Sequence, residues 1–229
     1  MSYSVSLEFH GESRSFPDQQ SAFATLAADR SGTVLVLAGD RAGQALAGVD
    51  LADKVAVLVE LGAECLGVYT GEQRGGEGSN CLGFARFRLG RAEPSNLIEL
   101  VRQPTSDDVA LAAAQEVFGA AGFRVAVCAD RPGRIIDRLV RPFYNAVLRR
   151  LDEGLASADD LDTCLRLGLG YPEGPIGLLE RTGLSEHYEV SRALFEAFGE
   201  TAYVPARRAQ VAHHREGDAM RVAASRARE

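Results

Sequence analysis

The chain has no tryptophan, two methionines, four cysteines and a single lysine, Lys54, in 229 residues. The cysteines Cys65, Cys81, Cys128 and Cys164 lie at least 16 positions apart. No CxxC pair is therefore available for zinc or redox chemistry. No apolar run approaches the roughly 18 residues that a membrane span needs. The opening MSYSVSLEFHGE has no basic stretch followed by an apolar one, so no secretory leader is expected. Together these absences predict reduced, mostly buried thiols in a cytoplasmic protein. An excess of positive charge is also missing: the net charge is −7 and the isoelectric point about 5.2. That argues against a dedicated nucleic-acid binder. Histidine occurs only at His10, His187, His213 and His214, leaving none from 11 to 186.

What is present is ordinary for a globular chain, with 46% hydrophobic and 25% charged residues. The length allows one large domain or two small ones. Alternation over 3–9 predicts a strand, and the spacing of Phe23, Leu26 and Ala27 predicts a helix within 17–30. TVLVL at 33–37 reads as a buried strand. LADKVAVLVEL at 51–61 fits a helical stripe through Leu51, Val55, Leu58 and Leu61, although its valines favour a strand. Cys65–Thr70, Leu82–Phe87, Leu97–Arg102 and Phe123–Cys128 read as further strands. GEQRGGEGSN at 71–80 reads as an exposed loop. Ser106–Gly122 reads as a helix capped by Ser106, with Asp107 and Asp108 at its positive end.

After Pro132 everything reads as helix. Apolar residues from Ile135 to Leu151 keep a 3–4 spacing broad enough to demand burial, with Pro142 expected to bend the run. Ser157 and Asp160 form a capping box for the next helix. Gly174-Pro175 and Ser185 start two more, and the arginine-rich tail 207–229 is amphipathic at best. The change of pattern predicts an α/β domain over 1–129 and an all-α domain over 130–229.

Three motifs of the helical half resemble the C-terminal domain of the 3-hydroxyacyl-CoA dehydrogenases. They are Arg131-Pro132-Gly133-Arg134-Ile135-Ile136-Asp137-Arg138-Leu139, with Pro142 following, then Ser157-Ala158-Asp159-Asp160-Leu161-Asp162, then Leu167-Gly168-Leu169-Gly170-Tyr171-Pro172-Glu173-Gly174-Pro175. The family shows PGF-x-x-NRL, S-x-x-D-I-D and LGxGYPxGP in this order. Upstream, Leu97–Val101 is similar to the family's LVEVI strand, Cys81–Phe84 to the strand leading into HFFNP, Val68-Tyr69-Thr70 to the middle of its SNTS turn, and Val34–Ala38 to its VVEA strand. On this register residues 51–61 should be helical. The resemblance implies a truncated Rossmann-like α/β domain followed by a 6-phosphogluconate-dehydrogenase-C-like helical bundle, and a homodimer formed through that bundle.

The same resemblance exposes two gaps. The family's G-x-G-x-x-G turn, which holds the NAD pyrophosphate, has no counterpart before Thr33, and no cofactor-binding residue is assigned. The family also uses a histidine, oriented by a glutamate, to take the proton from the 3-hydroxyl. Aligned from Gly83, the histidine position is Ala85 and the glutamate is Glu99. The family's substrate-holding asparagine is Asp137, where a carboxylate would repel an oxyanion.

Each candidate carries two readings. Glu99 is a surviving acid or base, or a glutamate that is solvated or paired with arginine. Asp137 marks a remodelled polar pocket, or a surface ion pair beside Arg138. Glu99 and Asp137 together could form a carboxylate dyad. Thr70 binds a ligand, or bonds backbone. His213-His214 bind a metal, or lie in solvent, and no metal is expected. The glycine-rich loop lacks the Lys-Ser/Thr of a P-loop. Three functions follow. One is a catalytically degenerate protein binding an acyl-CoA-like ligand. Another is an active oxidoreductase turning 3-hydroxyacyl-CoA into 3-oxoacyl-CoA with NAD. The last is a dimerising partner of a full-length paralogue. No nucleic acid or membrane partner is expected.

Overall fold

A computed structural model of the chain describes residues 3–18, 33–71 and 79–226, with side chains to 219. The helix expected within 17–30 and most of the loop at 71–80 lie outside those residues. Two compact units emerge: Met1–Arg88 with Pro94–Ile135, and Leu89–Glu93 with Ile136–Glu229. The first extends past the expected end at 129 because Asp130 accepts the Leu66 and Gly67 N–H groups, and the Gly133 N–H donates to Ala63 O.

The first unit is a six-stranded mixed sheet whose strand order follows the chain: β1 (Val5–Phe9), β2 (Val34–Ala38), β3 (Ala56–Glu60), β4 (Cys81–Arg86), β5 (Leu97–Arg102) and β6 (Arg124–Ala129). Neighbours are parallel except β4 and β5, which form an antiparallel pair. The inner strands are short runs of β-branched and aliphatic residues covered on both faces, as parallel sheets require. Val34, Val36, Leu58, Leu82, Phe84, Ile98 and Leu100 face one way, toward Ala113, Ala114, Val117 and Phe118 of α3 (Asp108–Ala120). Leu35, Leu37, Val57, Val59 and Val101 face the other way, toward Leu46, Leu66 and α1 (Ala42–Ala45).

Three expectations fail here. Residues 56–60 are a strand, not a helix, and every one is buried. Hydrogen bonding on both edges between β2 and β4 suits the valines better than a helix would. Residues 67–70 form a short helix, α2 (Gly67–Thr70), not a strand. Asp130 holds both oxygens against the Leu66 and Gly67 N–H groups at its start, at 2.7 and 2.8 Å. The cap of α3 is Asp107, which accepts from the Val109 N–H, while the Ser106 hydroxyl accepts from the Gln103 N–H instead.

The second unit contains α4 (Ile136–Asp152), α5 (Ala158–Leu169), α6 (Pro175–Thr182), α7 (Leu184–Phe198) and α8 (Arg207–Arg226). Pro142 lies inside α4 and has no N–H for the carbonyl of Arg138. The Tyr203 hydroxyl donates to that carbonyl at 3.4 Å. Ser157 caps α5 through the Asp160 N–H. Gly174 has no side chain with which to cap α6, and Asp162 does so from α5, accepting the Ile176 and Gly177 N–H groups at 2.9 and 2.8 Å. Two of the sequence motifs are thus a joint between helices. The apolar stripe of α4 is buried only at Val147 and Leu148. Leu139 is 70% exposed, while Asp137, Arg141 and Asn145, at i, i+4 and i+8, are buried.

Candidate functional site

Within the α/β unit, Ala85 on β4 and Glu99 on β5 are direct partners across the antiparallel ladder. Both are buried. The Glu99 carboxylate accepts the Ile135 N–H at 2.8 Å, and its other oxygen lies 3.6 Å from Arg134 Nε. Arg134 stands at the phenylalanine position of the PGF motif and has a left-handed backbone at φ 49°. Its side chain is 5% exposed and that of Glu99 1%, so each charge compensates the other away from water. Glu99 is therefore paired with an arginine and a backbone amide of its own unit.

Thr70 ends α2, and its hydroxyl sits 3.1 Å from Gln103 Oε1 and 3.3 Å from Leu66 O. The Gln103 amide in turn donates to Asp130 at 3.3 Å. Because β3 is the strand at 56–60, the residues leaving it are Leu61-Gly62-Ala63.

Asp137 does not pair with Arg138 on the surface. It accepts from Arg141 Nε at 2.7 Å, one helical turn on, and Arg141 is 1% exposed. The guanidinium continues to His187 Nδ1 on α7 at 3.1 Å, and His187 Nε2 meets Asn145 Oδ1 at 2.9 Å. Asn145 Nδ2 lies 3.4 Å from both Ser191 Oγ and Ala202 O. An arginine can only donate, so Nδ1 accepts and Nε2 carries the proton. Burial, and secondarily the Arg141 charge, push the His187 pKa down to about 3, so the ring is neutral. Sequence reasoning missed this network. Its signal was the spacing of Asp137, Arg141 and Asn145 along one face of α4.

The proposed dyad gains no support: each carboxylate is engaged by an arginine of its own unit. The remaining histidines have partners as well. His10 lies 3.2 Å from Glu8, and His213 stacks on Tyr188 and meets the Ser185 hydroxyl at 3.0 Å. Among the described residues no cluster of three metal-ligating side chains exists. Burial raises the thiol of Cys81 to about 12 and that of Cys128 to about 11, and all four cysteines are free. No helix among the described residues is long and apolar enough to cross a membrane.

Residues 133–220 match the family described as "3-hydroxyacyl-CoA dehydrogenase, C-terminal domain". The chain is 31% identical over 109 residues to a 3-hydroxybutyryl-CoA dehydrogenase of Bradyrhizobium diazoefficiens, covering 48% of this chain and 37% of that protein. It is 35% identical over 88 residues to the human mitochondrial hydroxyacyl-coenzyme A dehydrogenase, covering 38% and 28%. The matched stretch thus spans well under half the length of these curated relatives. In fold, the chain is similar to Mycobacterium tuberculosis FadB2, with a TM-score of 0.64 and 23% identity over 80% of this chain and 65% of that one. It is likewise similar to (S)-3-hydroxybutyryl-CoA dehydrogenase PaaH1 of Ralstonia eutropha, at 0.66 and 21% over 82% and 66%. Residues 133–220 thus match the 3-hydroxyacyl-CoA dehydrogenase C-terminal domain, and the chain, with its Rossmann-like α/β unit, shares the fold of these solved structures.

Proposed function

We propose that this protein is a catalytically degenerate relative of the 3-hydroxyacyl-CoA dehydrogenases in cytoplasmic acyl-CoA metabolism. It binds an acyl-CoA-like ligand and dimerises through its helical half. The observation that carries this reading is the pairing of Ala85 with Glu99. The position facing the orienting glutamate holds a methyl group, which can neither accept nor donate a proton. The glutamate itself is committed to Arg134 and the Ile135 N–H. Asp137, paired with Arg141, supplies an anion where the family's chemistry calls for a neutral amide. Dimerisation is supported by apolar surface on the helical unit: Leu155, Leu167 and Leu169 are each at least 66% exposed, and α5 has no buried residue.

Calorimetric titration with NADH and with acetoacetyl-CoA, each alone, and absorbance at the nicotinamide band with both present, test the proposal. Acyl-CoA binding without NADH binding or turnover is expected. Turnover above a buffer control would replace the proposal with the alternative, an active oxidoreductase of atypical residues using NAD. Light scattering tests the assembly: a clean monomer at micromolar concentration contradicts the dimer.

A further inference from the structure

The last strand of the sheet, β6, pairs only with β5 among the described residues. Its ladder is regular: Arg124 to Ala129 stand in register with Leu97 to Arg102, with no bulge. The Arg124 N–H donates to Asn96 O and the Asp130 N–H to Arg102 O, each at 3.0 Å. The even-numbered residues therefore turn their backbone groups toward β5, and Val125, Val127 and Ala129 turn theirs outward. The strand reads Arg-Val-Ala-Val-Cys-Ala. It has neither the proline nor the lysine that ordinarily blunts an edge. Val127 is 38% exposed, and Arg124 and Ala129 are exposed as well. Such an edge is a template for a further strand.

Charge decides which strand fits. A second copy, turned about a two-fold axis through Val127, brings Val127 against its own equivalent and Val125 against Ala129. Each of these pairs exchanges outward N–H and C=O groups. The same register sets Arg124 directly opposite Asp130 of the second copy, once on each side of the axis, and Ala126 opposite Cys128. Arg124, Ala126, Cys128 and Asp130 share one face of the strand, so the opposed side chains meet. An axis through Ala126 keeps the backbone bonds but sets Arg124 against Cys128 and loses both charge pairs. Asp130 is half-buried and accepts from the Leu66 and Gly67 N–H groups, with the Gln103 amide at 3.3 Å. A carboxylate has about four acceptor sites, which leaves one for a guanidinium. We propose that β6 is a self-recognition edge. Two copies join their sheets antiparallel about Val127, and two Arg124–Asp130 pairs fix the register. The contact uses the α/β unit alone and is separate from the helical surface proposed above for dimerisation.

The test is a cross-strand disulfide in the full chain. Opposed residues whose backbones do not bond lie about 4.5 Å apart at Cα, within the roughly 4.4–6.8 Å that a disulfide spans. Ala126→Cys supplies a thiol opposite the native Cys128, and Cys164→Ser removes the exposed thiol of α5. Oxidised with diamide at micromolar concentration, this double variant should run at dimer mass on a non-reducing gel. Peptide mass spectrometry should find the introduced thiol bonded to Cys128. Adding Arg124→Glu sets like charges opposite Asp130 and should cut the cross-linked yield at least tenfold, while Arg124→Lys should retain it. Adding Val127→Pro removes an outward N–H and no bond to β5, and should cut the yield equally. Absence of a dimer band overturns the proposal. So does a bond between the two introduced thiols, which belongs to the other register. A yield indifferent to both Arg124→Glu and Val127→Pro marks chance collision and overturns it too. Light scattering responds to either surface, whereas this disulfide responds only to β6. A dimer mass without the disulfide leaves the helical surface standing and overturns the β6 contact. The charge-dependent disulfide upholds the β6 contact whatever the helical surface does.

Discussion

Acid should loosen the helical unit through one side chain, His187. In the folded chain its pKa is pushed down to about 3, against an ordinary 6.5, because the ring is buried beside the Arg141 guanidinium. Asp137 and Arg141 on α4 are the charged groups of its network, and Tyr144 meets the ring edge-on. The folded state therefore binds fewer protons than the unfolded state between these two values. The stability that depends on a neutral ring is whole above about pH 6.5 and drains away as the pH falls toward about 3. Each pH unit in that window removes about 1.4 kcal/mol, so a move from pH 7.5 to 5.0 costs about 2 kcal/mol from this group alone. His187→Gln offers a carbonyl to Arg141 and an amide to Asn145 but does not titrate. Urea unfolding, followed by helical circular dichroism at both pH values, gives two losses to compare. The wild type should lose about 2 kcal/mol more than the variant, since every other titrating group is common to both. Equal losses would show that His187 is solvated or already charged in the native state, and would refute the network as drawn.

Restoring a histidine should not restore chemistry. Ala85→His leaves Glu99 held by Arg134 and the Ile135 N–H, so NADH oxidation with acetoacetyl-CoA should stay at the buffer rate; measurable turnover would show that Glu99 is free to orient an imidazole. Asp162→Ala uncaps α6 and should cost about 1 kcal/mol in urea unfolding, with an unchanged midpoint counting against that joint. With Ellman's reagent at pH 8, Cys164 should react in the native protein while Cys81 and Cys128 wait for unfolding, because Cys164 is exposed and the other two thiols are raised to about 12 and 11.

Much of this architecture can be read from the chain by pattern. The run at 34–38 is short, apolar and bounded by Gly39-Asp40, and it could only be a covered strand. The Ser157 box, the Gly174-Pro175 start and the glycine ends of the helices follow from local backbone chemistry and need no tertiary information. Residues 56–60 misled because aligning by family motif moved the register, overriding valines that argued for a strand on their own. Residues 67–70 misled because Asp130, far along the chain, supplies the oxygens that make a helical turn there. The site was legible only in part. Ala85 and Glu99 could be placed opposite one another, but the arginine that seals the glutamate came from a motif position read as a match. The partners of Asp137 were invisible because polar residues at i, i+4 spacing on a helix look like a solvated face until another helix closes over them.

The strands of this sheet lie side by side in the order in which the chain supplies them. Each newly synthesised strand finds its neighbour already in place, so no earlier edge must wait unpaired for a distant partner. Contacts short in sequence close quickly and cheaply. Such a sheet can be laid down from one side to the other during translation, with the β4–β5 hairpin as the natural nucleus for its second half.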